Sequence, residues 1–163
     1  MKKLFLVSIA LLSVLVFSAC SSDDSVAKRA EGTYMVERHS YVTSPALSVA
    51  TITSAINLVV KAEADYFVKV VIPTTSYDLE DLEMVIPEFT VSGVPVVDDL
   101  ENGAEILKHP FMIEGNKNIE GTIAGEFDED GEVEVVVEYK YGKMPFAIKQ
   151  TFTNKKKDLD YDN

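Results

Sequence analysis

The ten residues EVEVVVEYKY, Glu132–Tyr141, alternate with a period of two: Val133, Val135, Val137, Tyr139 and Tyr141 fall on one side, and Glu132, Glu134, Val136, Glu138 and Lys140 on the other. Successive side chains of a strand point to opposite faces, so this is a strand with one face buried and one wet. IEGTIAGEF, Ile119–Phe127, alternates in the same way, with Ile119, Gly121, Ile123, Gly125 and Phe127 opposite Glu120, Thr122, Ala124 and Glu126. Between them DEDG, Asp128–Gly131, supplies turn formers ending in a glycine that can take positive φ. The pair is predicted to form a β-hairpin.

The same texture extends in both directions. TYMVERHSY (33–41), ATITSAINLVVKA (50–62), YFVKVVIP (66–73), LEDLEMVIPEF (79–89) and PFAIKQTFT (145–153) are rich in β-branched and aromatic residues. Turn formers separate them at Ala64-Asp65, Thr74-Thr75-Ser76 and Gly142-Lys143. No segment has a capped 3.6-residue period, and only DDLENGAEILKH (98–109) suggests one or two helical turns. The chain is predicted to be all-β. Open sheet edges invite unwanted pairing, and closure into a barrel removes them. The expected architecture is an antiparallel up-and-down barrel of about eight strands, with a two-sheet β-sandwich as the alternative that periodicity does not separate from it.

The amino terminus has a different character. Lys2 and Lys3 precede an uncharged, mostly apolar run from Leu4 to Phe17, shorter than the roughly 20 residues a spanning helix needs. This is the layout of a secretory signal, residues 1–19. The segment Phe17-Ser18-Ala19-Cys20 resembles the lipobox of bacterial lipoproteins, in which small residues precede a cysteine that is acylated. Cys20 is the only cysteine of the 163 residues, so the fold has no disulfide and the thiol is free to carry lipid; two or more acyl chains anchor stably where one does not. Residues 20–31 are expected to be a lipidated flexible tether, residues 32–154 the barrel, and residues 155–163 a charged tail. Ser21-Ser22-Asp23-Asp24 partly resembles the acidic signal that sends such lipoproteins to the cell surface. The expected location is the outer membrane, facing outward, with a periplasm-facing placement as the alternative.

EGTYMVE (31–37), YDLEDLEMVIPEFTVSGVPVVDD (77–99) and the hairpin just described resemble the calycin-like domain found in many lipoproteins of Gram-negative gut anaerobes. The likeness spans roughly residues 32–154, and Phe89–Val96 carries most of it. It implies a lipocalin-like barrel of about eight antiparallel strands and no particular activity. Lipocalins begin with glycine, any residue and a tryptophan that plugs one barrel end. This chain has no tryptophan, and Gly32-Thr33-Tyr34 puts a tyrosine in that place.

Charge and motifs exclude much else. Once Lys2 and Lys3 leave with the signal, 13 basic side chains face 27 acidic ones, a balance that repels nucleic acid. His39 and His109 are the only histidines. His39 alternates with Glu37 and Tyr41 on one strand face and is expected to be a rim residue, while His109 precedes Pro110 in an expected loop. The acids of DLEDLE (78–83) and VDDLE (97–101) read as solvated faces, and Asp128–Glu132 is too short to wrap the six to eight oxygens of calcium. No catalytic set, metal site or cofactor is expected. An interior remains. Tyr34, Val133, Val135, Val137, Tyr139, Phe146, Ile148, Gln150 and Phe152 are the candidate lining of a small apolar or amphipathic ligand site, with Gln150 as its isolated polar group and Gly121 and Gly125 either leaving room on one wall or letting the strand bend sharply. The expected function is a non-enzymatic, lipid-anchored envelope barrel whose partners are the membrane and such a ligand. The alternative is a filled barrel whose rim segments, around Pro45 and Gly93–Asn102, contact a protein or polysaccharide.

Overall fold

The computed structural model describes residues 25–155 apart from 45–46, 80–81 and 100–102. Cys20, the signal segment, Pro45 and the tail beyond Lys155 lie outside the described residues. One short helix, α1 (Val26–Ala30), is followed by eleven strands: β1 (Gly32–Ser44), β2 (Leu47–Ala64), β3 (Phe67–Ile72), β4 (Thr75–Leu79), β5 (Leu82–Ile86), β6 (Phe89–Pro95), β7 (Val97–Asp99), β8 (Gly103–Ile113), β9 (Ile119–Phe127), β10 (Val133–Tyr141) and β11 (Ala147–Thr153). All pairings are antiparallel. Nine strands make one sheet in the order β6-β3-β2-β1-β11-β10-β9-β8-β7, which curls into a nearly closed barrel. The first and last long strands are neighbours, and β6 and β8 pack across the seam. Beyond Pro95 the chain turns through Val96, whose N–H donates to Tyr66 O at 2.9 Å, so β7 continues β6 across the seam to pair with β8.

The predicted hairpin is β9–β10, in register from Val133↔Phe127 to Tyr141↔Ile119. Gly131 takes φ 82 in its turn, and its N–H donates to Asp128 O at 3.0 Å. On the inner side, Val133, Val135, Val137 and Tyr139 are buried beside Ile148, Gln150 and Phe152 of β11 and Val36, Arg38, Ser40 and Val42 of β1. Gly121 lies opposite Tyr139 and Gly125 opposite Val135. A Cβ on Gly121 would stand 2.2 Å from Glu138 O and 2.7 Å from Tyr139 Cβ, so the glycines admit a close backbone approach rather than leave a void. Bulges bend the wall further, at Ser54-Ala55 opposite Glu37, at Ser92-Gly93 in β6 and at Leu107-Lys108 in β8.

Three expectations change. Residues 98–109 are β7 and β8 rather than helical turns; Gly103 at φ 99 fits only without a Cβ against Phe127 O. Within the segment 20–31 expected to be a tether, residues 26–30 form α1, whose Val26, Ala27 and Ala30 are buried against β2, β3 and β8, and Ala27 N–H donates to Asp65 O at 3.1 Å. Five residues with two alanines leave no amphipathic period to read, yet their small side chains let the helix close one barrel end. Lys155 belongs to the fold rather than to the tail: its ammonium meets Glu126 at 3.0 Å and Asp128 at 3.2 Å.

Candidate functional site

At the end of the barrel opposite α1, the chain between β3 and β6 forms a second, two-stranded sheet, β4–β5. Thr74 Oγ1 accepts from Glu88 N–H at 3.1 Å, closing the base of this hairpin. Along β4–β5, Thr75, Tyr77, Met84 and Ile86 are buried and alternate with exposed Ser76, Asp78, Glu83 and Val85. The buried set faces inward. Thr75 and Tyr77 are at most 2 % exposed and reach residues of β1 and β11 inside the barrel.

There a polar cluster sits in an otherwise apolar interior. Arg38 is only 6 % exposed. Its Nη1 donates to Thr75 Oγ1 at 2.7 Å and to Thr74 O at 3.0 Å. Gln150 Nε2 donates to the same Thr75 Oγ1 at 2.8 Å and to Tyr77 OH at 3.3 Å. Register explains the convergence: Ser40 pairs with Gln150, Gln150 with Val137, and Arg38 with Phe152, and directly paired residues share a face. Among the described residues five buried polar side-chain atoms have no hydrogen-bond partner of good geometry; one, Asp128 Oδ1, lies at the β9–β10 turn, and the other four, Arg38 Nε, Ser40 Oγ, Tyr139 OH and Gln150 Oε1, belong to this interior. Buried groups are normally satisfied, so four orphans in one cluster are unusual. Ser40 influences the Tyr77 phenol without completing a hydrogen bond of good geometry.

Ionisation follows burial. Desolvation pulls the Arg38 guanidinium below its ordinary value, partly offset by the neighbouring Tyr77 and Tyr139 phenols. Burial pushes Tyr77 up against the opposing pull of Ser40, Gln150 and Arg38, and pushes Tyr139 up further, with Tyr77 adding to the effect. An arginine remains a cation under such shifts, so the cluster is a buried positive charge. No aspartate or glutamate is among the buried polar residues described.

Seven of the nine sequence-predicted lining residues share this interior: Val133, Val135, Val137, Tyr139, Ile148, Gln150 and Phe152. Phe146 is half-buried at its edge. Tyr34 is half-buried at the other end, donating from its hydroxyl to Ala30 O at 2.9 Å with its ring 5.7 Å from Phe127. It packs on α1, away from the cluster. Gln150 is not isolated, since Thr75 and Tyr77 hold its amide. Sequence reasoning passed over Arg38, Ser40, Thr75 and Tyr77. The signal for the first two was the alternation of Val36, Arg38, Ser40 and Val42; the polar start of β4 carries none.

The histidines and acids stand apart. His39 is on the outer face of β1, with Nε2 3.4 Å from Glu37 Oε2. His109 is within β8, paired with Ile123, rather than in a loop. Asp78 and Glu83 pair on the exposed side of β4–β5, and Asp98 accepts from Arg29 at 2.8 Å. Three grooves lie between described residues elsewhere: about 630 Å³ beside Lys108, Met112, Glu120 and Lys140, about 680 Å³ around Lys117, Tyr141 and Met144, and about 600 Å³ at the β2 bulge by Met35, His39 and Ala55.

No protein-family model matches the chain, and no curated protein matches it. In three dimensions the chain is similar to a crystal structure of a candidate outer membrane protein from Bacteroides fragilis, at 20 % sequence identity and a TM-score of 0.63. The match covers 82 % of this chain and 53 % of that one, so this chain spans about half the length of its structural neighbour. At that identity the likeness is one of fold: a nearly closed antiparallel β-barrel.

Proposed function

We propose that the protein is a non-enzymatic, lipid-anchored barrel of the outer membrane that takes up a small amphipathic molecule beneath the β4–β5 hairpin. The observation that carries the reading is the cluster around Arg38, with its four orphaned polar atoms, at the centre of an apolar interior. Ligand sites of this kind combine mostly apolar walls with a few convergent polar groups. Here β10 and β11 supply the walls, and the covering hairpin shares no backbone ladder with the barrel sheet. The calycin-like resemblance, the lipobox at Cys20 and the fold shared with a candidate outer membrane protein support the envelope setting.

The test is titration of a soluble form that lacks the signal and Cys20, residues 21–163, with a naphthalene-sulfonate probe or a fluorescent fatty acid. Saturable binding near one equivalent is expected, and no binding at tens of micromolar overturns the reading. Anchoring is tested separately: Cys20→Ala should abolish acyl labelling and move the protein from the detergent phase to the aqueous phase, whereas unchanged labelling refutes lipidation at Cys20.

A second reading rests on a specific observation. The lining side chains of β10 and β11 are at most 1 % exposed, and none of the three grooves just described is lined by Arg38, Ser40 or Gln150. A filled barrel would leave the outer surface for a protein or polysaccharide partner, and an absence of probe binding favours this alternative.

A further inference from the structure

We propose that the molecule bound inside the barrel is an anion, a carboxylate on an apolar chain, with its head group held by the guanidinium of Arg38 and the hydroxyls of Ser40 and Tyr139. The inference rests on the ligand-binding reading above and names the chemistry of that ligand.

The argument begins with charge. Removing a guanidinium from water is costly unless an opposite charge or a full set of acceptors replaces the lost hydration. Arg38 is 94 % buried, as its 6 % exposure gives. Both of its hydrogen bonds leave from Nη1 and end on neutral oxygens, Thr75 Oγ1 and Thr74 O. Nε has no acceptor. The Nε edge of a guanidinium belongs to the fork that fits the two oxygens of a carboxylate. The chain is strongly acidic, with 27 carboxylate side chains against 15 basic ones, yet none of the buried polar residues described is an acid. A carboxylate from outside would supply what the fold leaves out.

The other orphans fit the same head group. Among the described residues Tyr139 OH has no partner, and Ser40 Oγ completes no hydrogen bond of good geometry although it faces the Tyr77 phenol; each hydroxyl can donate to an anionic oxygen. Tyr139 and Tyr77 are close enough to Arg38 to act on its ionisation. Ser40 pairs with Gln150 across the β1–β11 ladder and is two residues along the same face from Arg38. Around them Val42, Val135, Val137, Ile148 and Phe152 are fully buried, so the rest of such a ligand meets hydrocarbon. The two bonds to Thr74 and Thr75 join Arg38 to the hairpin, and a bound carboxylate would compete for the guanidinium that helps hold the hairpin down.

The experiment is calorimetric titration of residues 21–163 with dodecanoate and with dodecanol, on the unmodified protein and on Arg38→Met. Dodecanoate is expected to bind ~10-fold or more tightly than dodecanol, the scale of a charge-assisted hydrogen bond. Arg38→Met should lower dodecanoate affinity by more than dodecanol affinity, bringing the ratio of the two to about one, a split that general loosening of the fold does not produce. Circular dichroism and thermal unfolding establish that the variant is folded, and Arg38→Lys, which keeps the charge, should retain part of the preference. Equal binding of acid and alcohol, unmoved by Arg38→Met, overturns the anion inference and leaves the binding barrel standing. If neither dodecanoate, dodecanol nor the fluorescent probes bind, the binding barrel itself fails, and the inference with it.

Discussion

Arg38 and Thr75 meet across 2.7 Å inside the barrel, one from β1 and the other from a hairpin that forms no backbone ladder with the barrel sheet. Thr75 Oγ1 accepts from both Arg38 and Gln150. Thr75→Val keeps the shape and removes both acceptor roles at once. Each buried donor left unpaired costs about 1–3 kcal/mol, and the loss should fall first on the hairpin. Hydrogen exchange in Thr75–Ile86 is expected to accelerate by more than that of β9 and β10. Equal acceleration throughout would show that the contact supports the whole barrel rather than the hairpin.

Two glycines separate steric need from backbone need. A Cβ at Gly121 would overlap Glu138 O and Tyr139 Cβ, so Gly121→Ala must push the β9 and β10 backbones apart and should cost about 3 kcal/mol or more in urea unfolding. Gly93, at φ 67, has open space where a Cβ would go. Gly93→Ala should cost only the left-handed penalty of about 1–2 kcal/mol. Similar midpoints for the two variants would contradict the close approach at Gly121.

Ala55 is the only non-glycine residue with positive φ among those described, at φ 55. It occupies the β2 bulge just before the ladder resumes at Arg38↔Thr53. The bulge inserts one extra residue in β2, so that the ladder pairs Arg38 with Thr53 beyond it, and a conformation that disfavours an L side chain accompanies it. Ala55→Gly relieves that strain at some cost in chain entropy, and a gain of about 0.5–1 kcal/mol in unfolding free energy is expected. A loss of stability would show that the alanine methyl contributes more than its backbone conformation costs.

The fold could be read from the sequence where one wall faces oil and the other water. EVEVVVEYKY and IEGTIAGEF do this cleanly, and the β9–β10 hairpin and its glycine turn stand where period two and DEDG place them. Reading failed where strands are short or bulged. Residues 98–109 combine a three-residue strand with a bulged one, which breaks the alternation. LEDLEMVIPEF conceals a hairpin tip and two strands. The site was half legible: Gln150 stood out as a polar residue on an apolar face, but Arg38 shares its strand with charged Glu37 and with His39, so either face of VERHSY could have been the inner one. Thr75 looked like part of a turn, because its burial depends on a tertiary contact 75 residues away, with Gln150.

The buried phenols make a last prediction, in which the sign is definite. Burial raises Tyr139 and Tyr77 above the ordinary value of 10.0, so at alkaline pH the folded barrel holds protons that the unfolded chain has released. Stability is therefore fully present below pH 10.0 and declines as pH rises beyond it, by up to about 1.4 kcal/mol per pH unit for each tyrosine kept neutral. Ionisation of these two phenols, followed at 295 nm after a pH jump, should occur at the rate of unfolding rather than at once. Tyr139→Phe removes a hydroxyl that has no partner, so it should cost little at neutral pH, reduce the slow amplitude and flatten the alkaline decline. Tyr77→Phe should flatten it as well, but it also takes an acceptor from Gln150, so its neutral-pH stability should fall below that of Tyr139→Phe. Fast ionisation of both phenols in the folded protein would mean that water already reaches the cluster beneath the hairpin.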